Sequence, residues 1–175
     1  MSAVSASLGL GLVEKVLRIA GQRRDFSGDR GRLDQLADAA QSGSARLARY
    51  ADEDVAAFNE YLASRRLKDT LAIGAALRTA IEVPLKIARA AVNGLDLCGE
   101  AACFVPAALA ADLGTAVVLL AGAARATLLS VDSNLGQIPA DSHFYRDVLA
   151  ERRELHRQAL QKAEKLLEPT NSNAS

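Results

Sequence analysis

The chain has 175 residues, which suits one domain with a sizeable hydrophobic core. Its hydrophobic half is mainly Ala, Leu and Val, whereas aromatic residues make up only 4% and Trp is absent, so helices are favoured over strands. The 21 basic and 21 acidic residues cancel, and no block of Lys or Arg forms the basic patch that nucleic-acid binding needs. We therefore expect an all-α protein with no nucleic-acid partner.

Neither the cysteines nor the apolar stretches predict a metal site or a membrane anchor. Cys98 and Cys103 have no other Cys or His close to them, so we expect two small buried side chains in a reducing compartment. The apolar residues 1–12 lack the basic residues that precede the apolar part of a signal peptide. The longest uncharged run, residues 113–124, is shorter than the roughly 20 residues that span a bilayer. These patterns predict a soluble, cytoplasmic protein without a metal or a membrane partner.

Apolar spacing predicts a single domain, residues 1–168, built as a bundle of five to six helices. The first helix covers residues 3–19, and the second follows a Gly-containing loop and covers residues 30–64. The third helix covers residues 71–91 and contains Pro84, which should kink it. Asn93-Gly94 is expected to end this helix.

The fourth helix is predicted over residues 107–131, with Pro106 at its start. This helix is apolar all round, which indicates that it is buried. The fifth helix begins near Asp141 and ends at Leu167. The polar residues 169–175 should form a disordered tail.

The second helix carries a seam of apolar or small residues that a carboxylate interrupts. Alternating steps of four and three residues place on one face Leu33, Ala37, Ala40, Ser44, Leu47, Ala51, Asp54, Phe58 and Tyr61. A carboxylate on an inward face destabilises the fold unless it is paired or used, so Asp54 is a candidate catalytic group. The alternative is a buried ion pair with a facing helix. Phe58 and Tyr61 fit the core better than a stacking platform.

Four short stretches match motifs of one known family in order and in rough spacing. They are DVAAF at residues 54–58, EVPLKIA at 82–88, ADLGTA at 111–116 and the segment 130–135. By these stretches the chain resembles the cyclodeaminase/cyclohydrolase family, which comprises the C-terminal half of formiminotransferase-cyclodeaminase and the stand-alone bacterial methenyltetrahydrofolate cyclohydrolases. The chain departs from the family pattern at Ala111 and Ser130, where the family has Ser and Asn. The Pro-Gly-Gly-Gly-Ser loop that usually opens the family does not precede the first helix.

The resemblance implies a multihelical fold, a closely packed or intertwined homodimer, and a tetrahydrofolate derivative as substrate, with no cofactor. It places the catalytic carboxylate at Asp54. The substrate-binding residues that it implies are Arg23, Arg24, Phe58, Asp112 and Asn134. The two arginines would bind the glutamate carboxylates of the folate.

The chemistry of the family suits a single inward carboxylate. In the cyclohydrolase reaction, water adds to the cationic amidinium carbon of 5,10-methenyltetrahydrofolate, and the adduct opens to 10-formyltetrahydrofolate. Asp54 could accept the proton of the water, protonate the leaving nitrogen and stabilise the cation. In the cyclodeaminase reaction, N10 of 5-formiminotetrahydrofolate attacks the formimino carbon and ammonia leaves. We prefer the first reaction because the sequence carries no formiminotransferase domain, and we keep as alternatives the second reaction and a non-catalytic dimeric subunit.

The substrate-binding residues also have structural interpretations. Arg23 and Arg24 fit solvated charges at a helix end. Asp112 fits a helix-terminal or interhelical hydrogen bond. Asn134 fits a helix C-cap as well as a pterin contact.

Overall fold

The computed structural model describes residues 1–168, which form five α-helices and one short 3-10 turn around a hydrophobic core. The helices are α1 (Ser2–Gln22), α2 (Arg30–Leu67), α3 (Thr70–Ala101), α4 (Ala110–Leu135) and α5 (His143–Leu167). No strand occurs among residues 1–168, so the prediction of an all-α, multihelical bundle is confirmed. The tail predicted for residues 169–175 lies outside the described residues.

Side-chain caps begin three of the helices. Asp29 accepts a hydrogen bond from the backbone N–H of Arg32 at 3.0 Å, at the start of α2. Asp69 accepts from two backbone N–H groups in the first turn of α3. At the start of α5, the hydroxyl of Ser142 accepts a hydrogen bond from the backbone N–H of Tyr145 at 3.1 Å. Each cap pairs donors that have no partner inside the helix, which explains why the helices begin at these residues.

The helices α1, α2, α3 and α4 close a ring. Both α1 and α3 pack against α2 and α4, and α5 lies outside the ring on α3 and α4. The connection between α2 and α3 is the dipeptide Lys68-Asp69, in which Lys68 adopts the left-handed conformation with φ 58°. So short a turn makes α2 and α3 an antiparallel hairpin. The end of α4 packs against this hairpin.

The third helix continues to Ala101, so its predicted end at Asn93-Gly94 is wrong. Gly94 is buried, and a Cβ at this position would lie 2.9 Å from Cδ2 of Leu120 and 3.1 Å from Cδ2 of Leu10. Gly94 does not adopt a positive φ. Its missing side chain instead lets α1 and α4 approach α3 closely.

The fourth helix is buried on one face only, which corrects the prediction of complete burial. Leu120 and Leu128 are fully buried, whereas Val118 and Leu129 are 56% and 66% exposed. By length and composition alone, residues 107–135 could cross a membrane, which the length of the uncharged run did not predict. In this structure the same segment packs against α1, α3 and α5, as a core helix does. The exposed side leaves an apolar surface next to the end of α4.

The two cysteines differ in their surroundings. Cys98 is buried, and burial raises the pKa of its thiol to about 12. Cys103 is exposed in the connection between α3 and α4, so the prediction that both cysteines are buried is wrong for Cys103. Both thiols are free.

Candidate active site

A cavity of about 380 Å³ opens between the second half of α2, the middle of α3 and the end of α4. The residues that line it are Asp54, Phe58, Ala80, Pro84, Leu129, Ser130, Ser133 and Asn134. Three residues that the sequence analysis nominated, Asp54, Phe58 and Asn134, therefore lie in one cavity. Asp54 is the charged member of this lining, and the remaining side chains are neutral.

Asp54 is a half-buried carboxylate that no basic side chain of the described residues pairs with. Burial raises the pKa of its carboxyl group, and the N-terminal ammonium group opposes this shift more weakly. Within residues 1–168, no basic side chain lies within 4 Å of Asp54; Lys86 instead faces the neighbouring Glu53 at 3.8 Å. Asp54 therefore does not form the buried ion pair that was the alternative interpretation. The carboxylate is held in the cavity wall by the helix alone.

The raised pKa of Asp54 predicts a pH-dependent loss of stability. Folding favours the protonated carboxyl group, so this stabilisation is complete below the ordinary carboxyl pKa and is lost as the pH rises through the folded-state pKa. Asp54→Asn cannot ionise, so its free energy of unfolding should increase relative to the wild type as the pH rises from about 4 to about 7. Urea unfolding of both proteins across this range measures the difference.

Asp52→Asn is the matched control, because it removes the same charge from an exposed position on the same helix. A gain for Asp54→Asn that does not change with pH would contradict the prediction. So would a gain that Asp52→Asn shares in full.

Phe58 and Tyr61 differ although they lie one turn apart on the seam. Phe58 is 58% exposed at the mouth of the cavity, so its interpretation as a core residue is wrong, whereas Tyr61 is buried. The hydroxyl of Tyr61 donates to Oε1 of Gln137, just beyond the end of α4. This hydrogen bond ties α2 to the segment that follows Asn134, and it therefore steadies the cavity wall.

Asn134 joins α4 to α3 at the cavity. Its Nδ2 donates a hydrogen bond to the carbonyl oxygen of Ala80 at a distance of 2.8 Å. Both residues line the cavity. The amide of Asn134 therefore bridges two helices, which neither a C-cap nor a purely ligand-binding interpretation predicted.

Arg23 and Arg24 do not line this cavity. Arg23 forms two hydrogen bonds to Asp25, at 2.9 and 2.7 Å, and the guanidinium holds the pKa of Asp25 below its ordinary value. Arg23 also lines a separate cavity with Phe26 and Phe104, between the α1–α2 and α3–α4 connections. Arg24 is exposed. Both arginines precede the start of α2 at Arg30. Because α2 rises about 1.5 Å per residue, this start lies roughly 36 Å from Asp54 along the helix axis.

Asp112 also lies outside the cavity. Its Oδ2 accepts a hydrogen bond from Nζ of Lys15 at 2.9 Å, across the interface between α1 and α4. Both side chains are partly exposed, so the ion pair adds little stability. This contact is the interhelical hydrogen bond that the sequence analysis kept as the alternative.

Ser133 and Ala80 line the cavity, and neither was predicted from the sequence to be a site residue. Helical spacing contained a signal for Ser133, because it lies three positions after Ser130, and residues three positions apart share a helix face. Ser130 and Pro84 also line the cavity, and neither was predicted to be a site residue, although both belong to the family-like motifs. The two serine hydroxyls can donate to a ligand or accept from it. Within residues 1–168, no group of three or more His, Cys, Asp or Glu side chains could hold a metal ion.

Comparison with known proteins identifies both a family and a fold. A family model, described as formiminotransferase-cyclodeaminase, matches residues 1–154. Among solved structures, the fold is similar to the crystal structure of formiminotetrahydrofolate cyclodeaminase from Thermotoga maritima, with a TM-score of 0.86. The two chains are 22% identical, and the similarity covers 95% of this chain and 85% of that chain. Searches of curated proteins find no match.

Proposed function

Since this chain belongs to the formiminotransferase-cyclodeaminase family, we propose that it hydrolyses 5,10-methenyltetrahydrofolate to 10-formyltetrahydrofolate. The observation that carries the proposal is Asp54, a half-buried carboxylate that has no basic partner within residues 1–168 and lies in a cavity whose other lining residues are neutral. A carboxylate in this setting favours a cationic ligand and can exchange protons with it.

In the proposed reaction, Asp54 serves first as a base and then as an acid. Water forms a bond to the amidinium carbon while the Asp54 carboxylate takes one of its protons. The bond between that carbon and N5 then breaks, and the protonated Asp54 gives its proton to N5. The hydroxyl group of the adduct loses its proton to solvent and becomes the carbonyl of the formyl group on N10. Because the pKa of Asp54 is raised, the protonated and ionised forms of its carboxyl group are closer in free energy, which suits a group that takes up a proton and then donates it.

The cavity also supports electrostatic stabilisation of the substrate. Methenyltetrahydrofolate carries its positive charge on the amidinium group, and a partly buried carboxylate interacts with such a charge more strongly than an exposed one. Ligand pockets in proteins commonly measure about 300–1,000 Å³, so a cavity near the lower end suits the reacting head of the folate rather than the whole molecule. Phe58, exposed at the mouth, would stack on the ring system of the substrate.

The second candidate is formiminotetrahydrofolate cyclodeamination, which the description of the matching family favours. In that reaction N10 attacks the formimino carbon of the substrate, and Asp54 would protonate the departing ammonia. Both substrates carry an amidine-type carbon, so the same carboxylate serves either reaction. A non-catalytic subunit of the same fold is the third possibility, and the experiment below separates all three.

A homodimer would complete the substrate site. Phe58 and Leu129 line the cavity and are 58% and 66% exposed, and Leu8 on α1 and Val118 on α4 are 61% and 56% exposed. Such apolar exposure suits an interface between two copies of the chain. Arg23 and Arg24 would then reach the glutamate carboxylates of the folate only from the second copy, because they precede α2, at the end of that helix that is far from Asp54. Sedimentation equilibrium that shows monomer alone at micromolar concentration would contradict this assembly.

The test is an assay of both reactions with purified protein. One arm follows the absorbance of 5,10-methenyltetrahydrofolate against its rate of hydrolysis in buffer. The other arm follows ammonia release from 5-formiminotetrahydrofolate. Protein-dependent loss of absorbance supports the cyclohydrolase, ammonia release without it supports the cyclodeaminase, and neither signal from folded protein refutes both enzymatic proposals.

A further inference from the structure

Pro84 leaves a carbonyl group in the middle of α3 without its usual donor. In an α-helix the N–H of each residue donates to the carbonyl four residues earlier, which here is the carbonyl of Ala80. Proline has no N–H, and its ring also pushes that carbonyl away from the helix axis. Because Ala80 and Pro84 both line the cavity, the freed carbonyl group lies in the cavity wall.

Asn134 supplies the donor that Pro84 lacks. Its Nδ2 lies 2.8 Å from the carbonyl oxygen of Ala80. A carbonyl oxygen accepts hydrogen bonds and cannot donate them, so the amide must turn its NH₂ end towards Ala80. The Oδ1 end is then left as an acceptor, and within residues 1–168 no side chain donates to it. A buried peptide carbonyl is thus satisfied by a side chain that also faces the cavity.

We propose that Pro84 is a positioning residue that fixes the amide of Asn134, so that Oδ1 accepts a hydrogen bond from an N–H group of the ligand. This inference rests on the proposed function, because the tetrahydropterin ring of a folate carries N–H donors along its edge. The orientation matters: a flipped amide would turn its own NH₂ group towards those donors, and two facing donors repel each other. Pro84 therefore acts on the ligand through Asn134, without contacting the reacting atoms.

The orientation can be tested without any ligand. Pro84→Ala restores a backbone N–H, which returns the Ala80 carbonyl to the helix and competes with Asn134. In NMR spectra, the side-chain NH₂ signals of Asn134 are identified by their absence from Asn134→Ala. We expect these signals to exchange slowly with solvent in the wild type and faster in Pro84→Ala. Pro106→Ala, a proline replacement outside the cavity, should leave them unchanged.

The effect on the ligand is tested by a double-mutant cycle with 5-formyltetrahydrofolate as the probe, measured by titration calorimetry. We expect Asn134→Ala to weaken binding by about three- to tenfold, the value of one hydrogen bond. Pro84→Ala should weaken it by a similar or smaller factor. In the double variant the Pro84→Ala effect should disappear, because Asn134 is no longer there to be positioned.

Three results would decide the matter. Slow exchange of the Asn134 NH₂ group in Pro84→Ala, or losses of affinity that multiply in the double variant, would overturn the proposal, since a merely structural role of Pro84 gives independent effects. A wild-type protein that binds no folate would refute the proposed function. In that case, faster NH₂ exchange in Pro84→Ala would still establish that Pro84 orients Asn134.

Discussion

Replacing Asp54 with Asn is expected to lower the turnover of 5,10-methenyltetrahydrofolate by about 100-fold or more, because a positioned general acid or base contributes about 10²–10⁴-fold. Asn keeps the shape of the side chain and its half-buried place in the cavity wall. In the proposed reaction, Asn could not take up the proton of the attacking water, and it would lack the negative charge that stabilises the amidinium cation. The initial rate of absorbance loss, corrected for hydrolysis in buffer, measures the effect.

Asp52→Asn is again the control, since it changes the net charge equally from an exposed position. This variant should retain near wild-type turnover. Circular dichroism and urea unfolding would establish that both variants are folded. Undiminished turnover by Asp54→Asn would remove Asp54 from the chemistry, and an equal loss in both variants would point to net charge rather than to a catalytic group.

Replacing Leu120 with Ala is expected to lower the free energy of unfolding by about 2–5 kcal/mol, the range for a buried Leu that leaves a cavity. Leu120 is fully buried on α4 and lies against glycines of two other helices. A Cβ at Gly9 would lie 3.0 Å from its Cγ, and a Cβ at Gly94 would lie 2.9 Å from its Cδ2. Neither glycine has a side chain to move into the space, so the void should persist. Urea unfolding with an unchanged m-value measures the loss.

Leu67→Ala is the matched control, because it makes the same substitution at a side chain that is 80% exposed. Its free energy of unfolding should change by no more than about 0.5 kcal/mol. A loss below about 1 kcal/mol for Leu120→Ala would mean that α1 and α3 close around the space, and would contradict the close contact inferred from the two glycines.

Local interactions explain the helix starts at which a single residue determines the boundary. The start of α2 at Arg30 and the caps of α3 and α5 follow from Asp and Ser residues that bond to the adjacent first turn. The predicted end of α3 at Asn93-Gly94 is wrong because this dipeptide commonly ends a helix when no neighbouring helix packs against it. What decides its role here is Leu10 and Leu120, side chains of two distant helices. No pattern within α3 contains that information.

The features of the candidate site that depend on a single helix could be predicted from the sequence. The seam of α2 showed that Asp54 faces inward, and the family resemblance singled out Asn134 at the end of α4. That these two residues share a cavity depends on how α4 crosses the hairpin. Asp112 shows the limit most clearly, because its partner Lys15 lies 97 residues away in the sequence. Composition and spacing within one helix do not reveal such a pair.

The Lys68-Asp69 turn joins the helices that carry Asp54 and Pro84, so this wall of the cavity is built from segments that are close in the chain. Contacts between nearby segments form early in folding, because little loop entropy is lost in closing them. Asn134 reaches Ala80 across 54 residues and can do so only after α4 has docked. We therefore expect the α2–α3 hairpin to form first and α4 to complete the cavity last. Local unfolding at the end of α4 would dismantle the cavity while most of the bundle stays folded.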